Sequence, residues 1–298
     1  MLLVHCNCDG STPIYGATHF TLPPIPSRKD LAPLDTIAKR CLGEDTAASL
    51  SEMQASPNVA HLGEPRFAPQ QPDTRLRVVV SGSDAALGAV LTRMMRGDYL
   101  WSEVAYVPSD PASPAATCWG IPADAALSFA TDAPVVPAAC IRTDTSEVLA
   151  GAAELTCGDG HEEFLGEIVV DSHTLLFRGP EQPSARFYGG FGARLVPTMR
   201  DPGIACTPLV TPVSTSASTS ISPQQLEWMA SVPGLRWIAK GKQVEPLLAD
   251  ASQVRTGRAV QAGGIDIRVR LNGMEKPRGV NRVTFYRHLR DLQSVRQP

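Results

Sequence analysis

Three groups of side chains have the types and spacing to do chemistry. The first is Ser81-Gly82-Ser83-Asp84-Ala85-Ala86, a glycine, hydroxyls and a carboxylate between an apolar run and an amphipathic stretch. A turn there presents the free backbone N–H groups and partial positive charge of a helix N-terminus, which suit a phosphate. Ser83 or Asp84 would equally serve as a helix cap. The second group crowds the end of the chain, where Arg278, Arg282, Arg287, His288, Arg290 and Arg296 fall close together. Arg278, Arg282 and Tyr286 share one face of an extended strand, so the two guanidiniums can meet one anion, and phosphate favours bidentate Arg contacts. The third is His5-Cys6-Asn7-Cys8. It offers soft metal ligands, but no second pair closes a tetrahedral site, so no metal is expected, and the alternative is an N-terminal strand carrying small residues.

Other constellations carry less. Gly189-Gly190-Phe191-Gly192 has no helix after it to complete a dinucleotide loop and reads as glycines in a strand or bulge. Asp171 and His173 belong to no nucleophile elbow, and the six histidines form no zinc-protease pattern.

The elements that must position these residues follow from periodicity. Leu76-Arg77-Val78-Val79-Val80 is a β-branched run, and Leu87, Val90, Leu91 and Met94 follow at helical spacing. With an apolar run at 103–107 before Pro108, residues 76–107 read as a βαβ unit with a parallel strand pair. Upstream, residues 1–72 carry proline clusters and two short helical patterns, at 33–42 and 47–53, and are expected to form an extended N-terminal segment. The α/β lobe is expected at 73–130 and a β-rich domain at 131–298. In the latter, short strands are predicted at 135–142, 148–155, 163–170, 186–194 and 265–271. Asn272-Gly273 is a strong hairpin signal and pairs 265–271 with the stretch around 278–285. The Ser/Thr-rich run 211–222 reads as a loop, and 223–229 as a short helix.

In this order of elements the chain resembles the diacylglycerol kinase, sphingosine kinase and NAD kinase superfamily. Gly82-Ser83-Asp84-Ala85-Ala86 takes the place of that family's GGDGT, and the stretch from Pro108 through Ser113 and Ala116 to Gly120-Ile121-Pro122 takes the place of a segment like PLGTGNDFARSLGIP. The resemblance implies a small α/β lobe followed by an antiparallel, sandwich-like β-rich domain, with a nucleotide held by Gly82, Ser83, Asp84, Ala85, Pro108 and Ser113. It implies ATP and Mg²⁺ as cofactors only if the motifs are active. They are altered: Ser83 and Ala85 replace two glycines and put a Cβ where backbone must approach phosphate, and Ala86 lacks the family's hydroxyl. Asp110, Pro111 and Ser113 stand where the family shows Gly, Thr and Asn. No general base is identifiable. The expectation is a degenerate kinase-like protein that binds a phosphorylated small molecule or anionic lipid headgroup through Arg278, Arg282 and Tyr286. An active lipid or nucleotide kinase with altered motifs and an unrelated binding protein are the alternatives.

Composition sets the outer bounds. The chain has 298 residues, 43% of them hydrophobic, with 24 Gly and 26 Pro, which is enough for a buried core and too little Gly and Pro for a low-complexity chain. No window is long and apolar enough to span a bilayer, and the start lacks the pattern of a signal peptide, so a cytoplasmic protein is expected. Seven scattered cysteines point to reduced thiols rather than a disulfide scaffold. The net charge of -3 conceals an asymmetry, because residues 231–298 carry 13 Lys and Arg against 5 Asp and Glu. With an acidic remainder and 6% aromatics, nucleic acid is not an expected partner.

Overall fold

The computed structural model describes residues 1–56, 63–124, 127–158, 163–179, 188–212 and 247–297. The α/β lobe is built on β3 (Leu76–Gly82), whose seven residues are all buried, as expected of a central strand covered on both faces. It pairs in parallel with β1 (Leu2–Asn7) on one side and β4 (Glu103–Pro108) on the other. The full order is β2-β1-β3-β4-β17-β5, with β2 at Thr18–Thr21, β5 at Val135–Ala138 and β17 at Leu292–Val295; only β5 runs antiparallel to its neighbour. Helices α1 (Ala32–Leu42) and α3 (Asp84–Arg96) pack Leu34, Leu87, Val90, Leu91 and Met94 against Val4, Val78 and Val80. On the opposite face α5 (Leu127–Asp132) brings Ala130 to Val79, Ala105 and Val295.

This sheet corrects two expectations. Residues 1–72 are not an extended appendage, because β1 lies inside the sheet, in register with β3 from Leu2↔Leu76 to Asn7↔Ser81. Val4, His5, Cys6 and Asn7 are all buried, so the N-terminal strand is an inner strand covered on both faces. Among the described residues between β1 and β3, regular structure is confined to β2, α1 and α2 (Leu50–Ala55). Nor is 131–298 one β-rich unit: β5 leaves for the first sheet, and β17 returns from the far end of the chain to sit between β4 and β5.

The second sheet is antiparallel, with the order β12-β11-β10-β7-β14-β16-β6. Its strands are β6 (Ile141–Thr143), β7 (Ala153–Cys157), β10 (Tyr188–Pro197), β11 (Ile204–Pro212), β12 (Leu248–Ala249), β14 (Ala259–Leu271) and β16 (Val280–Arg287). β8 (Gly166–Val170) also pairs with β14 and carries β9 (His173–Arg178), while β13 (Arg255–Gly257) lies along β11. Leu155, Phe164, Ile168, Leu195, Val260, Ile267 and Phe285 form a separate apolar core. The predicted Asn-Gly hairpin is present: Asn272 and Gly273 both have positive φ, 51° and 82°, and β14 turns into β15 (Met274–Glu275) with Leu271↔Met274 paired. β16 then continues the pairing from Ile267↔Val280. The expected loop 211–222 beyond Pro212 and the expected helix 223–229 lie outside the described residues.

Candidate functional site

The parallel strands β1, β3 and β4 end side by side, and their C-terminal loops meet where open α/β sheets bind ligands. The residues assembled there are Asn7 to Ser11, Gly82 to Asp84 and Pro108 to Ser113. Gly82 needs to be glycine: its φ is +150°, and a Cβ would stand 3.1 Å from the Cβ atoms of both Ala86 and Cys8. Backbone bonds stitch the loops together, from Cys8 N to Ser81 O and from Ser109 N to Gly82 O, each 2.9 Å. Asn7 Oδ1 accepts from Gly10 N at 2.9 Å, and Ser109 Oγ donates to Asp9 Oδ2 at 3.1 Å.

Within this frame Ser83 is the N-cap of α3, accepting Ala86 N at 3.3 Å. Ser113 does the same for the short helix α4 (Pro114–Cys118), accepting Ala116 N at 3.2 Å. Asp84 is buried and joins the two motifs. Its Oδ2 accepts Ala115 N at 2.9 Å, and its Oδ1 stands 3.0 Å from the Tyr106 hydroxyl, which is also 3.0 Å from Gly82 O. Burial and the neighbouring Asp84 carboxylate push the Tyr106 pKa far up, so it stays a neutral donor. From the second sheet's side, Gly151 closes over the carboxylate, where a Cβ would fall 2.5 Å from Asp84 Oδ2 and 2.7 Å from Ala115 N. Trp119 locks that loop by donating its indole N–H to Ala150 O at 3.3 Å.

The sequence thus placed Gly82, Ser83, Asp84, Ala85, Pro108 and Ser113 around one end of the sheet, and the structure brings them there. It missed Asn7, Asp9, Tyr106 and Gly151. Tyr106 was detectable as a hydroxyl-bearing residue within an apolar strand, and Gly151 as the smallest member of the run Ala150-Gly151-Ala152-Ala153. Carboxylates also gather at this end. Asp9, Asp84 and Asp110 bring negative charge, and none of the three makes an ion pair among the described residues. A carboxylate about 4 Å from a phosphate costs on the order of 4 kcal/mol at an effective dielectric of 20. Partial desolvation works to raise the Asp9 pKa, but hydrogen bonds from Ser11 and Ser109 outweigh it and hold the pKa below the ordinary value, so the charge persists. Mg²⁺ would relieve the repulsion, yet both Asp84 oxygens already accept protein donors, and no cluster of three metal-ligating side chains occurs among the described residues.

The expected anion row does not form on the strand. Arg278 lies in the bend before β16, not on it, because β16 begins at Val280. Arg282 is exposed on β16, but the Tyr286 hydroxyl is bonded by Arg142, whose guanidinium also stands over the Tyr286 ring, 4.8 Å from its centroid. The rest of the basic end is structural. Buried Arg287 binds Asp291 Oδ1 at 2.9 Å and Asp201 Oδ1 at 3.2 Å; buried Arg290 binds Asp98 Oδ1 at 2.9 Å and Ala48 O at 3.0 Å. The N-terminal group is likewise internal. Burial raises the Cys6 and Cys8 pKa values to about 12 and about 11, so these thiols stay protonated, and His5 bonds Ser81 Oγ at 2.7 Å.

No family model and no curated protein matches this chain. Among solved structures it is similar to a diacylglycerol kinase from Bacillus anthracis str. Sterne, at 11% identity and a TM-score of 0.47, over 100% of this chain and 97% of that one. It is also similar to an NAD kinase from Archaeoglobus fulgidus in complex with ATP, at 7% identity and a TM-score of 0.39, over 72% and 76% of the two chains. Yeast NADH kinase complexed with NADH matches at 9% identity and a TM-score of 0.39, over 100% and 84%.

Proposed function

We propose that this protein is a degenerate kinase-like protein that binds an anionic, phosphate-bearing ligand and does not transfer phosphate. The observation that carries the reading is the state of Asp84, the acidic residue standing where the GGDGT motif has its Asp. It is buried, both of its oxygens accept protein donors, and Gly151 covers it. It acts as a strut between β3, β4 and α4 rather than as a group free to meet a metal or phosphate. The altered cradle supports the same reading, since Ser83 spends its side chain on the helix cap. Exposed Arg278 and Arg282, neither in an ion pair among the described residues, add surface positive charge that favours anions.

The test is phosphoryl transfer from terminally labelled ATP with Mg²⁺, offered diacylglycerol in mixed micelles and, separately, NAD. The expected result is no transfer above a protein-free control. Label incorporated into either acceptor, and lost in Asp84→Asn, would overturn the reading.

A further inference from the structure

A cavity runs along α3 from Ala85, next to the strand-end loops, toward the Asn272-Gly273 hairpin. It occupies about 310 Å³, at the lower end of the size of small-molecule sites. Its floor is the outer face of α3, where Ala85, Gly88, Ala89 and Thr92 keep side chains short. One wall is the segment that contains Ile25, Arg28 and Leu31, and the other is the hairpin residues Leu271, Met274 and Lys276. Gly88 makes the geometry possible: a Cβ there would lie 2.2 Å from Asn272 Nδ2, so any larger residue would push the hairpin turn off the helix. Asn272 is in turn fixed by accepting Ala150 N at 2.9 Å and donating to Val148 O at 2.9 Å.

The charges of the lining do not cancel. Arg93 is neutralised by a two-pronged contact with Asp35, and Lys276 is paired with Glu147. Arg96 donates to two backbone carbonyls, Ser146 O and Thr145 O, each at 3.0 Å, which orients the guanidinium without neutralising it. Arg28 is exposed, and neither Arg28 nor Arg96 is in an ion pair among the described residues. Two uncompensated guanidiniums therefore share a cavity with exposed apolar side chains, Ile25 at 44% and Met274 at 48% exposure. Guanidiniums match phosphate oxygens, and the apolar walls match a hydrocarbon body.

We propose that this cavity binds a small amphiphilic phosphate monoester, with its phosphate at Arg28 and Arg96 and its apolar body between Ile25 and Met274. The inference rests on the reading of the chain as an anion binder and gives that ligand a place and a class. Such a phosphate reaches the protein either as a soluble ester or in a lipid bilayer, and the test separates the two sources. Octyl phosphate below its micelle concentration is titrated calorimetrically into the full chain, with inorganic phosphate and octanol as half-ligands, and binding to phosphatidylcholine vesicles with and without phosphatidic acid is measured in parallel. Octyl phosphate is expected to saturate one site more tightly than either half-ligand. Arg28→Ala, a change at an exposed residue, should weaken it about five- to tenfold, as for a partly exposed hydrogen bond to charge. Ala89→Leu, which fills the floor with a good helix former, should abolish it. Vesicle binding lost in Ala89→Leu assigns a lipid source, and its absence beside octyl phosphate binding assigns a soluble one. No saturable octyl phosphate binding, or binding of any kind that both variants leave unchanged, would overturn the proposal. Phosphoryl transfer from ATP would sink the parent reading while leaving this titration standing.

Discussion

Asp84 reads from the sequence as a ligand for phosphate chemistry or as part of a helix cap, and in the fold it is a bracket between loops. The Ala115 N–H and the Tyr106 hydroxyl both converge on it in a buried setting. Asp84→Ala leaves the Ala115 N–H without an acceptor and should cost about 2–3 kcal/mol, the penalty for stranding buried donors. Asp84→Asn keeps the shape: its Oδ1 can accept Ala115 N while its amide donates to the Tyr106 oxygen, whose own proton goes to Gly82 O. It should cost under about 1 kcal/mol. Urea unfolding of both variants checks the contrast, and equal losses would mean that the charge rather than the bracket matters. His5 makes a second residue-level prediction. Burial first, then the adjacent His19, lower its pKa below 6.5, with Asp9 opposing. The unfolded chain therefore takes up a proton near pH 6.5 that the folded chain resists, so stability is full above that pH and falls as pH drops toward the lowered folded value. His5→Gln should show a flatter urea-midpoint profile between pH 7 and 5, whereas an unchanged slope would remove His5 as the cause.

Among the elements, those with local signals were legible and those made by distant pairing were not. The β3–α3–β4 unit stands where its β-branched run and helical spacing put it, because each element buries a face that its own sequence marks. The Asn272-Gly273 hairpin was legible for the same reason, its two positive φ values being a local demand. β17 was not, and neither was the place of the N-terminal strand β1 inside the sheet, since a short strand buried on both faces shows no alternation and its partners lie far away in the chain. Tyr106 and Gly151 escaped for the same reason, because only the fold brings them to Asp84. β17 carries a prediction at this level. Leu292 and Val295 are buried, and Ser294 donates to Val136 O, so the strand closes the sheet between β4 and β5. A chain ending after Arg290 should lose cooperative thermal unfolding and near-ultraviolet circular dichroism, and a retained sharp transition would show that the sheet closes without β17.

For the whole molecule, each sheet has its own apolar core, and the connections of the second sheet join the first: Val148, Ala150 and Met199 pack into the first sheet's core, Gly151 lies against Asp84, and Trp119 bonds Ala150 O. At the end of the first sheet Gly151 lies against Asp84, with Asp9 and Asp110 in the neighbouring loops, while Arg28, Arg93, Arg96 and Lys276 line the cavity beside the hairpin on the outer side of α3. The most direct test of this account is thermal unfolding with rising ATP and Mg²⁺. A ligand at 100 times its dissociation constant stabilises the folded state by about 2.7 kcal/mol, enough to raise the melting temperature by several degrees. No saturable shift is expected up to millimolar ATP with Mg²⁺, in the wild type or in Asp84→Asn. A saturable rise in the wild type that Asp84→Asn abolishes would contradict it.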